Sequence, residues 1–477
     1  MRIALLTTIA LPVAATSADA AVTISTAATR NVSCSAGVCT ATAANAVLNA
    51  SDLESMLAAS SVQVVEGSVA GSIDVKAALS WASSKTLTFD AYQSVTVDKP
   101  VSVSGSGGLT ILTDDGGTGG SLSFGGTGHV SFLNLTSPLT INGNTYTLVD
   151  DIATLASDIA ANASGHYALA GSYNATPDGA YSQSAIPTTF FGNLEGLGNT
   201  ISHLSIDDGT ASPMQQSPQS IGMFSLLGEG GIIANLHLTG VSILGGIHGE
   251  EVGGLAGSSQ AELVGDSVSG KLNLRFIDGN MIGGLVGFSG VDGTISNSWS
   301  TANVSGTAAN AGGLAGVSAS EIDSSYATGS VSADDYVGGL IGTNGGTIDN
   351  SYATGAVFNK DETGFAFAGG LVGDNSGDIN TSYSTGTVGA VQTGNNVGGL
   401  IGWDHSGTLT DNYWNTTTSG ITNLAKGCGY PSSCSGVTGL STAQLQSGLP
   451  TGFSSSIWGE SPSINGGLPY LLALPPK

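Results

Sequence analysis

The sequence predicts an all-β protein: a right-handed parallel β-helix with short flanking helices and a capping C-terminal tail. Glycine accounts for 73 of its 477 residues and charged residues for only 9%, as stacked short strands joined by tight turns require. A block of about thirty residues recurs through the second half of the chain, and such a period indicates a solenoid. No part of this block shows the 3.6-residue period of a helix.

The anchor of the repeat is the motif Gly-Gly-Leu-x-Gly. It begins at Gly253, Gly283, Gly312, Gly338, Gly369 and Gly398, and a weaker version begins at Gly222. Successive starts are 26 to 31 residues apart. The spacing varies most just before each anchor, so insertions collect at one corner of the coil. In solenoids that edge often binds ligands.

A second block follows each anchor and in its strictest copy reads Ile-Asp-Asn-Ser-Tyr-Ala-Thr-Gly-Ala-Val. Copies begin at Ile295, Ile322, Ile348 and Ile379, each with an aromatic residue four positions later. On one strand the Ile and the aromatic residue would face the same side, because side chains alternate with a period of two. The polar residue between them, such as Asn350, is predicted either to form an inward polar ladder or to bond the backbone at a corner. Stacked coils should align Ile322, Ile348 and Ile379 in one inward ladder.

Residues 1–20 are expected to be a signal peptide. A positive residue precedes the apolar run 3–15, and residues 18–20 are small enough at the required positions for cleavage before Ala21. A membrane anchor is disfavoured because the run is short and contains Pro12. Later apolar runs are interrupted, so no membrane-spanning segment is expected after cleavage. The mature protein is expected to be secreted or on the cell surface, and a periplasmic location stays open.

The rest of the chain divides into five predicted segments. They are an N-terminal cap with a local disulfide (21–61), irregular β-solenoid coils (62–147), a helix and connector (148–189), the repeat β-helix (190–415) and a C-terminal cap (416–477). The first repeat coil is placed near residue 190 because Ile201 lies 31 residues before Ile232. A capping tail is expected because the open end of a solenoid invites aggregation.

Short helices are expected in three places outside the repeat. Ser51 is the predicted N-cap of a helix at 52–59, and apolar residues recur at helical spacing through 148–162. Another short helix is predicted after Ser441, which would serve as its cap.

The four cysteines form two close pairs, Cys34 with Cys39 and Cys428 with Cys434. An even count, turn residues between the partners and an export signal favour two local disulfides. Free thiols are the second interpretation. A zinc site is disfavoured because no His lies near either pair and neither pair has CxxC spacing.

The anchor followed by Ile-x-Asn-Ser-Tyr-Ala-Thr-Gly-x-Val resembles the GLUG repeat of bacterial surface proteins, and several copies in series make the resemblance specific. Residues 62–145, with 73–75 reading Ile-Asp-Val and 87–91 reading Leu-Thr-Phe-Asp-Ala, are similar to coils of filamentous-haemagglutinin-type exoproteins. The resemblance implies an adhesin-like β-helical protein. Its implied partner is a glycan or protein on a host or neighbouring cell surface, or in the extracellular matrix. The His-Glu-x-x-His of metallopeptidases that carry GLUG repeats is missing from the sequence.

The net charge of −25 limits the partners. Loss of residues 1–20 removes one cation, Arg2, and one anion, Asp19, so this charge is unchanged. Such a surface repels nucleic acid and anionic polysaccharide, and no nucleic-acid partner is expected. No cofactor is expected. Calcium is the one ion suggested by Asp residues near turns, although no EF-hand loop or repeated calcium nonapeptide supports it.

No catalytic residue is expected. Right-handed β-helices include pectin hydrolases, but this sequence contains neither Gly-His-Gly nor Arg-x-Lys. Its adjacent Asp pairs would point to opposite faces of a strand, which suits turns better than a catalytic pair. The sequence therefore favours a non-catalytic adhesin. A polysaccharide-active lyase or hydrolase with an unrecognised site and a passive spacer are the alternatives.

The longest insertion between a Val and the next anchor, residues 358–368, is the predicted ligand-binding loop. Its candidate contact residues are Phe358, Lys360, Asp361, Glu362, Phe365 and Phe367. Exposed aromatic side chains beside polar groups can stack on sugar rings or anchor a protein partner. The alternative is that the phenylalanines pack against the coil as a small satellite core.

Overall fold

The computed structural model describes residues 21–66, 71–116, 119–208, 220–245, 251–274, 280–307, 309–362, 367–391, 396–431 and 434–476. The signal-peptide prediction for residues 1–20 lies outside the described residues. The chain forms two compact units, one comprising Met1–Gly128 with Thr140–Gly143 and the other His129–Leu139 with Asn144–Lys477. Each unit is built mainly from short, stacked, parallel strands, so the predicted β-solenoid is confirmed.

The first unit is built from three- and four-residue strands. They are Val22–Ser25, Val32–Ser35, Val38–Ala41, Ala46–Asn49, Val62–Val65, Ile73–Val75, Leu79–Trp81, Leu87–Asp90, Val95–Val97, Val101–Val103, Leu109–Leu112, Leu122–Phe124 and, ending in this unit, Leu139–Ile141. Val22–Ser25 pairs in parallel with Ala46–Asn49 and with Ile73–Val75, and the same sheet continues to Val95–Val97. Alternate Val and Ile side chains of these strands are buried, which gives the unit its core.

The helix of the first unit, Ala50–Ala59, begins after Asn49. The Asn49 side chain accepts a hydrogen bond from the backbone N–H of Ser51 at 2.9 Å. The prediction that Ser51 caps this helix was therefore wrong by two positions, because the amide oxygen of Asn49 already serves the first turn. Leu53 and Leu57 are buried and attach the helix to the core.

In the second unit a repeat coil contains five short strands, which stack on their equivalents in five parallel sheets named A to E. Sheet A contains Ser220–Ile221, Glu251–Gly253, Asn280–Gly283, Ala309–Gly312, Tyr336–Gly338, Phe367–Gly369 and Asn396–Gly398. Sheet B contains Phe224–Leu227, Ala256–Ser259, Val286–Ser289, Ala315–Ser318, Ile341–Asn344, Val372–Asn375, Ile401–Asp404 and Cys428–Tyr430. Sheet C contains His166–Leu169, Asn193–Glu195, Ile232–Ala234, Glu262–Val264, Thr294–Ser296, Glu321–Asp323, Thr347–Asp349, Asp378–Asn380 and Leu409–Thr410.

Sheets D and E share the two long strands His237–Gly245 and Ser267–Leu274. Sheet D also contains Tyr173–Asn174, Thr200–Ser202, Trp299–Ser300, Tyr326–Ala327, Tyr352–Ala353, Tyr383–Ser384, Asn412–Asn415 and Val437–Leu440. Sheet E also contains Ala180–Tyr181, Ser205–Asp207, Asn303–Ser305, Val331–Ala333, Val357–Asn359 and Val388–Ala390. The other elements of this unit are the strands Val130–Phe132, Asn144–Val149, Trp458–Gly459 and Tyr470–Leu471, the helices Ile152–Ala161 and Thr442–Leu445, and the 3-10 turns Thr176–Asp178 and Asn465–Gly467.

The Gly-Gly-Leu-x-Gly anchor turns the chain from sheet A into sheet B. A Cβ atom on Gly369 would lie 2.0 Å from the carbonyl oxygen of Val372 and 2.6 Å from the backbone nitrogen of Gly402 in the next coil. Such distances leave no room for any side chain at this position. The Leu of the same anchor, Leu371, is fully buried in the interior. Packing alone therefore accounts for the composition of the anchor.

The Ile residues of the second block form the predicted inward ladder. Ile348 pairs with Ile322 in the preceding coil and with Ile379 in the following one. All three side chains are fully buried in the main core of the second unit. The predicted register is confirmed.

The aromatic residues of the block, in contrast, face away from the Ile ladder. Asn350 has a φ of 46°, which ends the strand Thr347–Asp349 before Tyr352. Ile348 joins the main core, whereas Tyr352 joins a second hydrophobic cluster. The prediction that both side chains share a face was wrong, because the left-handed corner residue interrupts the strand and its alternation. Asn350 is thus a corner residue, and its Nδ2 also donates to Asp323 Oδ1 at 2.9 Å.

The C-terminal tail covers this outer row of rings. Tyr352 stacks on Tyr326 and Tyr383, with ring centroids 4.9 and 5.1 Å away. With Tyr413, these rings are buried in one cluster with the tail residues Leu445, Phe453, Trp458 and Leu471. The hydroxyl group of Tyr383 donates to the carbonyl oxygen of Pro469 at 2.6 Å. The tail therefore packs along the side of the repeat coils.

Of two helices predicted in the second unit, one begins later than predicted and the other begins where it was predicted. Ile152–Ala161 begins after its N-cap Asp151, later than the predicted start at 148, because Leu148 lies in the preceding strand. Thr442–Leu445 is capped by Ser441 as predicted, with Gln444 completing a capping box. Within the described part of the chain, no helix has the length and apolar character needed to cross a membrane.

The register of the first repeat coil differs from the sequence prediction. Ile201 pairs with Leu238 in sheet D, and it is Leu194 in sheet C that pairs with Ile233. The 31-residue spacing between Ile201 and Ile232 therefore does not join equivalent positions. Coil length varies through the corner insertions, so a matching distance between two isoleucines does not fix a register.

Serine residues form a polar ladder at the corner between sheets C and D. The backbone N–H of Ser325 donates to Ser351 Oγ at 3.1 Å, and that of Ser351 donates to Ser382 Oγ at 3.0 Å. Each hydroxyl also donates within its own coil, as Ser351 Oγ does to the carbonyl oxygen of Asp349 at 2.7 Å. The ladder satisfies buried backbone groups that no sheet pairs at this corner.

Candidate ligand-binding surface

A row of aromatic side chains lies on the outer face of sheets A and B near the C-terminal end of the repeat. Tyr336 pairs with Phe367 in sheet A, and Trp403 pairs with Tyr430 in sheet B. None of these four side chains is buried, whereas the neighbouring Val337 is fully buried. We call Tyr336, Phe367, Trp403 and Tyr430 the aromatic row.

The first three rings of the row stack on one another. The ring centroids of Tyr336 and Phe367 are 5.6 Å apart, and those of Phe367 and Trp403 are 4.6 Å apart. Tyr430 breaks this pattern, because its ring stands at 80° to Trp403 with a centroid separation of 5.9 Å. Stacking covers the facing sides of the first three rings. Tyr430, which is 54% exposed, is the ring with the most accessible surface.

A glycine allows residues from two sheets to meet in this row. A Cβ atom on Gly402 would lie 2.4 Å from the carbonyl oxygen of Gly373 and 3.0 Å from the Cβ of Phe367. The lack of a side chain at Gly402 lets sheet A of one coil lie against sheet B of the next. Phe367 and Trp403 can therefore stack although they belong to different coils.

A histidine and a carboxylate flank Trp403. The His405 ring centroid is 4.0 Å from that of Trp403, and His405 Nε2 is 2.9 Å from Asp374 Oδ1. If Nε2–H donates to this carboxylate, Nδ1 of the neutral imidazole is a hydrogen-bond acceptor. Burial raises the pKa of Asp374 above its ordinary value, and the neighbouring His405 opposes that shift. Burial, followed by the charges of Asp374 and Asp335, also raises the pKa of Tyr336.

The predicted loop is held at its base by Asn359, which is fully buried. Asn359 Nδ2 donates to the carbonyl oxygen of Asp335 at 2.8 Å, and Asn359 Oδ1 accepts from the backbone N–H of Asp361 at 2.8 Å. The backbone N–H of Lys360 donates to the carbonyl oxygen of Ala333 at 2.7 Å. Lys360 and Asp361 are thus fixed to the coil by their backbones, and Glu362 is exposed.

The two predicted loop phenylalanines that the structure describes, Phe358 and Phe367, lie in different sheets. Phe358 lies in sheet E, opposite Gly389, and is 44% exposed. Phe367 lies in sheet A and stacks against both Tyr336 and Trp403. Phe365 lies outside the described residues. Among the predicted contact residues that the structure describes, Phe367 alone belongs to the aromatic row.

Sequence reasoning missed the other members of this surface, namely Tyr336, Asp374, Trp403, His405 and Tyr430. The sequence contained a signal for two of them, Tyr336 and Trp403. Tyr336 and Phe367 each stand two positions before the first glycine of an anchor, and Trp403 directly follows the last glycine of another. Aligning the anchors would have placed Tyr336 and Phe367 in register. It could not show that Trp403 meets them, because that contact crosses from one sheet to another.

Both cysteine pairs are joined in the structure. Cys34 and Cys39 lie opposite each other in the antiparallel strands Val32–Ser35 and Val38–Ala41, with an S–S distance of 2.04 Å. Cys428 and Cys434 are joined with an S–S distance of 2.02 Å. Cys428 occupies sheet B two residues before Tyr430, so the second disulfide closes the loop that carries the exposed ring.

The most strongly perturbed acids of the second unit lie in its interior. Burial raises the pKa of Glu195 to about 7, although its Oε1 accepts from Asn235 Nδ2 at 3.0 Å. Burial likewise raises the pKa of Asp266, whose Oδ1 accepts from the backbone N–H of Leu236 at 2.9 Å. Both carboxyl groups therefore accept hydrogen bonds from backbone or side-chain groups at the corners of the coils. Among the residues that the structure describes, no three His, Cys, Asp or Glu side chains are arranged to hold a metal ion.

Comparison with known proteins identifies the repeat. The GLUG motif matches residues 335–357, which run from sheet A of one coil to the first residue of its sheet E strand. This chain carries the GLUG motif. A stretch of 115 residues is also 33% identical to halomucin of Haloquadratum walsbyi, covering 24% of this chain. The chain spans 1% of the length of this relative. The predicted GLUG resemblance is confirmed, and the haemagglutinin-type resemblance of residues 62–145 stays a prediction.

Two solved structures are partly similar to this chain. A Bacteroides ovatus protein described as a candidate immunoglobulin A1 protease is 18% identical, with a TM-score of 0.41, and the match covers 69% of this chain and 92% of that one. An IgA1 protease is 22% identical, with a TM-score of 0.35, and the match covers 55% of this chain and 19% of that one.

Proposed function

We propose that this protein is a non-catalytic, secreted or cell-surface β-solenoid that attaches to a glycan or protein through its aromatic row. The observation that carries the proposal is the exposure of this row of aromatic side chains on the surface of the repeat coils. In sheet D of the same coils, the rings of Tyr352 and Tyr383 are covered by the tail. Partly exposed rings beside polar groups are the common contact elements of binding surfaces.

A surface or extracellular setting is consistent with the GLUG motif and with the β-solenoid fold. The acidic, lightly charged composition keeps such a protein soluble and discourages self-association. Export through residues 1–20 is part of the proposal. Cell fractionation with N-terminal sequencing tests it, and a cytoplasmic protein that retains these residues would contradict it.

Attachment can be tested by retention of the purified mature protein on cells and on immobilised polysaccharides or matrix proteins. Trp403→Ala, at the centre of the row, should abolish most of the retention while the melting temperature stays within a few degrees. Phe358→Ala is the matched control, because it removes an exposed ring from a different sheet. Equal retention of all three proteins would refute the aromatic row as the contact surface.

The alternative of a polysaccharide-active enzyme is separated by the same material. Release of reducing ends or unsaturated products from any polysaccharide in the panel would end the non-catalytic proposal. Retention without release would support it.

A further inference from the structure

We infer that the C-terminal end of the aromatic row, formed by Tyr430, Trp403 and His405, is a subsite for a sugar ring of an uncharged glycan. This inference rests on the proposed function and names the ligand class of the same surface. It follows from which ring faces the structure leaves accessible, which polar atoms lie beside them and what charge surrounds them.

The accessible ring face belongs to Tyr430. Tyr336, Phe367 and Trp403 stack on one another, and His405 lies 4.0 Å from Trp403. In this wall of rings Tyr336, Phe367 and Trp403 are partly buried. Tyr430 stands at 80° to Trp403 and is 54% exposed, so it offers a face at the foot of this wall. The C–H face of a pyranose ring packs on such a flat aromatic surface.

A hydrogen-bonding group stands beside that face. Asp374 Oδ1 lies 2.9 Å from His405 Nε2 and fixes the imidazole against Trp403. His405 Nδ1 can then pair with a sugar hydroxyl, which both donates and accepts hydrogen bonds. A ring platform with one fixed polar group at its edge is the arrangement expected for recognition of a polyhydroxylated ring.

The surrounding charge excludes one class of glycan. In sheet B, Asp374 pairs with Trp403 and Asp404 directly follows Trp403, and the whole chain carries a net charge of −25. Uronic acids and sulfated sugars would be repelled at this surface. Uncharged sugars lose nothing from that field, and their hydroxyls can donate to carboxylates. The partner that fits is therefore a neutral polysaccharide.

Affinity electrophoresis of the full mature chain tests the inference, with neutral β-glucan, xylan and mannan as probes and alginate as the acidic comparison. Wild type should be retarded by at least one neutral glycan and not by alginate. Tyr430→Ala should weaken that binding about tenfold, because it removes the platform. Tyr430→Phe keeps the ring face and should bind within about twofold of wild type. Phe358→Ala, which leaves the row intact, should also bind like wild type.

The outcomes separate the subsite from the proposed function. Retention of wild type on cells or matrix proteins without binding to any neutral glycan would overturn the subsite and leave the proposed function standing. Absence of binding to every surface would overturn both. Equal binding of wild type and Tyr430→Ala to a neutral glycan, or stronger binding to alginate, would overturn the subsite alone.

Discussion

Ile348 and Tyr352 stand four residues apart in the repeat block, yet they lie on opposite sides of the solenoid wall. Ile348 is buried in the main core and Tyr352 in the cluster beneath the C-terminal tail. Between them, Asn350 turns the chain with a φ of 46°. The coils that carry Tyr326, Tyr352, Tyr383 and Tyr413 therefore contribute to two cores, one enclosed by the coil and one shared with the tail.

Double-mutant cycles should reveal these two cores. The rings of Tyr352 and Trp458 are 6.1 Å apart, so Tyr352→Ala and Trp458→Ala should be coupled by about 1 kcal/mol in the free energy of unfolding. Ile348→Val and Trp458→Ala should be additive within about 0.5 kcal/mol, because the wall separates them. Urea unfolding of the single and double variants measures both values. Equal coupling in the two cycles would contradict the outward position of Tyr352.

Ile348→Asp tests the inward ladder. The substitution places an unpaired charge in a fully buried position between Ile322 and Ile379, so the free energy of unfolding should fall by about 3–5 kcal/mol. Asp349→Asn is a suitable control on the same strand, since its side chain is half-buried and outward. A loss similar to that of the control would mean that Ile348 is not in the core.

Gly369→Ala should strongly destabilise the protein. Its new methyl group would lie 2.0 Å from the carbonyl oxygen of Val372, and two backbones would have to move apart, at a cost of about 3 kcal/mol or more. Gly345 is the matched control. A Cβ there would meet nothing nearer than the carbonyl oxygen of Ser318 at 3.7 Å, so Gly345→Ala should change stability by less than about 1 kcal/mol. Thermal unfolding of both variants measures the contrast, and equal effects would argue against the close approach of sheets A and B.

The Ser351→Ala variant tests how much the serine ladder contributes to the free energy of unfolding. It removes the acceptor of the Ser325 N–H in a site that water cannot easily reach, at a cost of about 1–3 kcal/mol. Ser332→Ala, on the outer face of sheet E, should stay within about 0.5 kcal/mol of wild type. Hydrogen exchange should also quicken at Ser325 in the Ser351→Ala variant. Unchanged protection there would mean that this hydrogen bond contributes little.

Glu195 makes the stability of the protein depend on pH. Its pKa is raised to about 7 in the folded state by burial, so the folded protein holds a proton that the unfolded chain releases at lower pH. The stabilisation is therefore present below the ordinary carboxyl pKa and is lost as pH rises through about 7. Asp266, whose pKa burial also raises, contributes in the same direction.

Glu195→Gln should flatten this pH dependence. We expect the variant to be as stable as wild type at about pH 4. At about pH 8 it should be more stable than wild type by about 2–3 kcal/mol, because the amide needs no proton to remain buried. Chemical unfolding across this range measures the two curves. Parallel curves would show that Glu195 does not titrate on folding.

Several features of the surface could be predicted only in part. The sequence pointed to the insertion at 358–368, and Phe367 does belong to the aromatic row. Phe358 does not, because it lies in sheet E beside Gly389. Trp403 and His405 escaped prediction because neither a motif nor a spacing within one coil links them to Phe367. Contacts between one coil and the next arise from the stacking distance and from glycines that let two sheets approach.

By itself, the sequence determined the solenoid, its GLUG period and the inward Ile ladder. These features follow from short-range rules, since residues that stack on copies of themselves must repeat at fixed offsets. Only the tertiary structure decided which way Tyr352 faces, what covers it and which rings remain exposed beside Trp403. A single left-handed residue such as Asn350 reverses a face without altering the repeat pattern. Coverage by the tail depends on segments far apart in the sequence, as in the bond of Tyr383 to Pro469, whose separation is 86 residues.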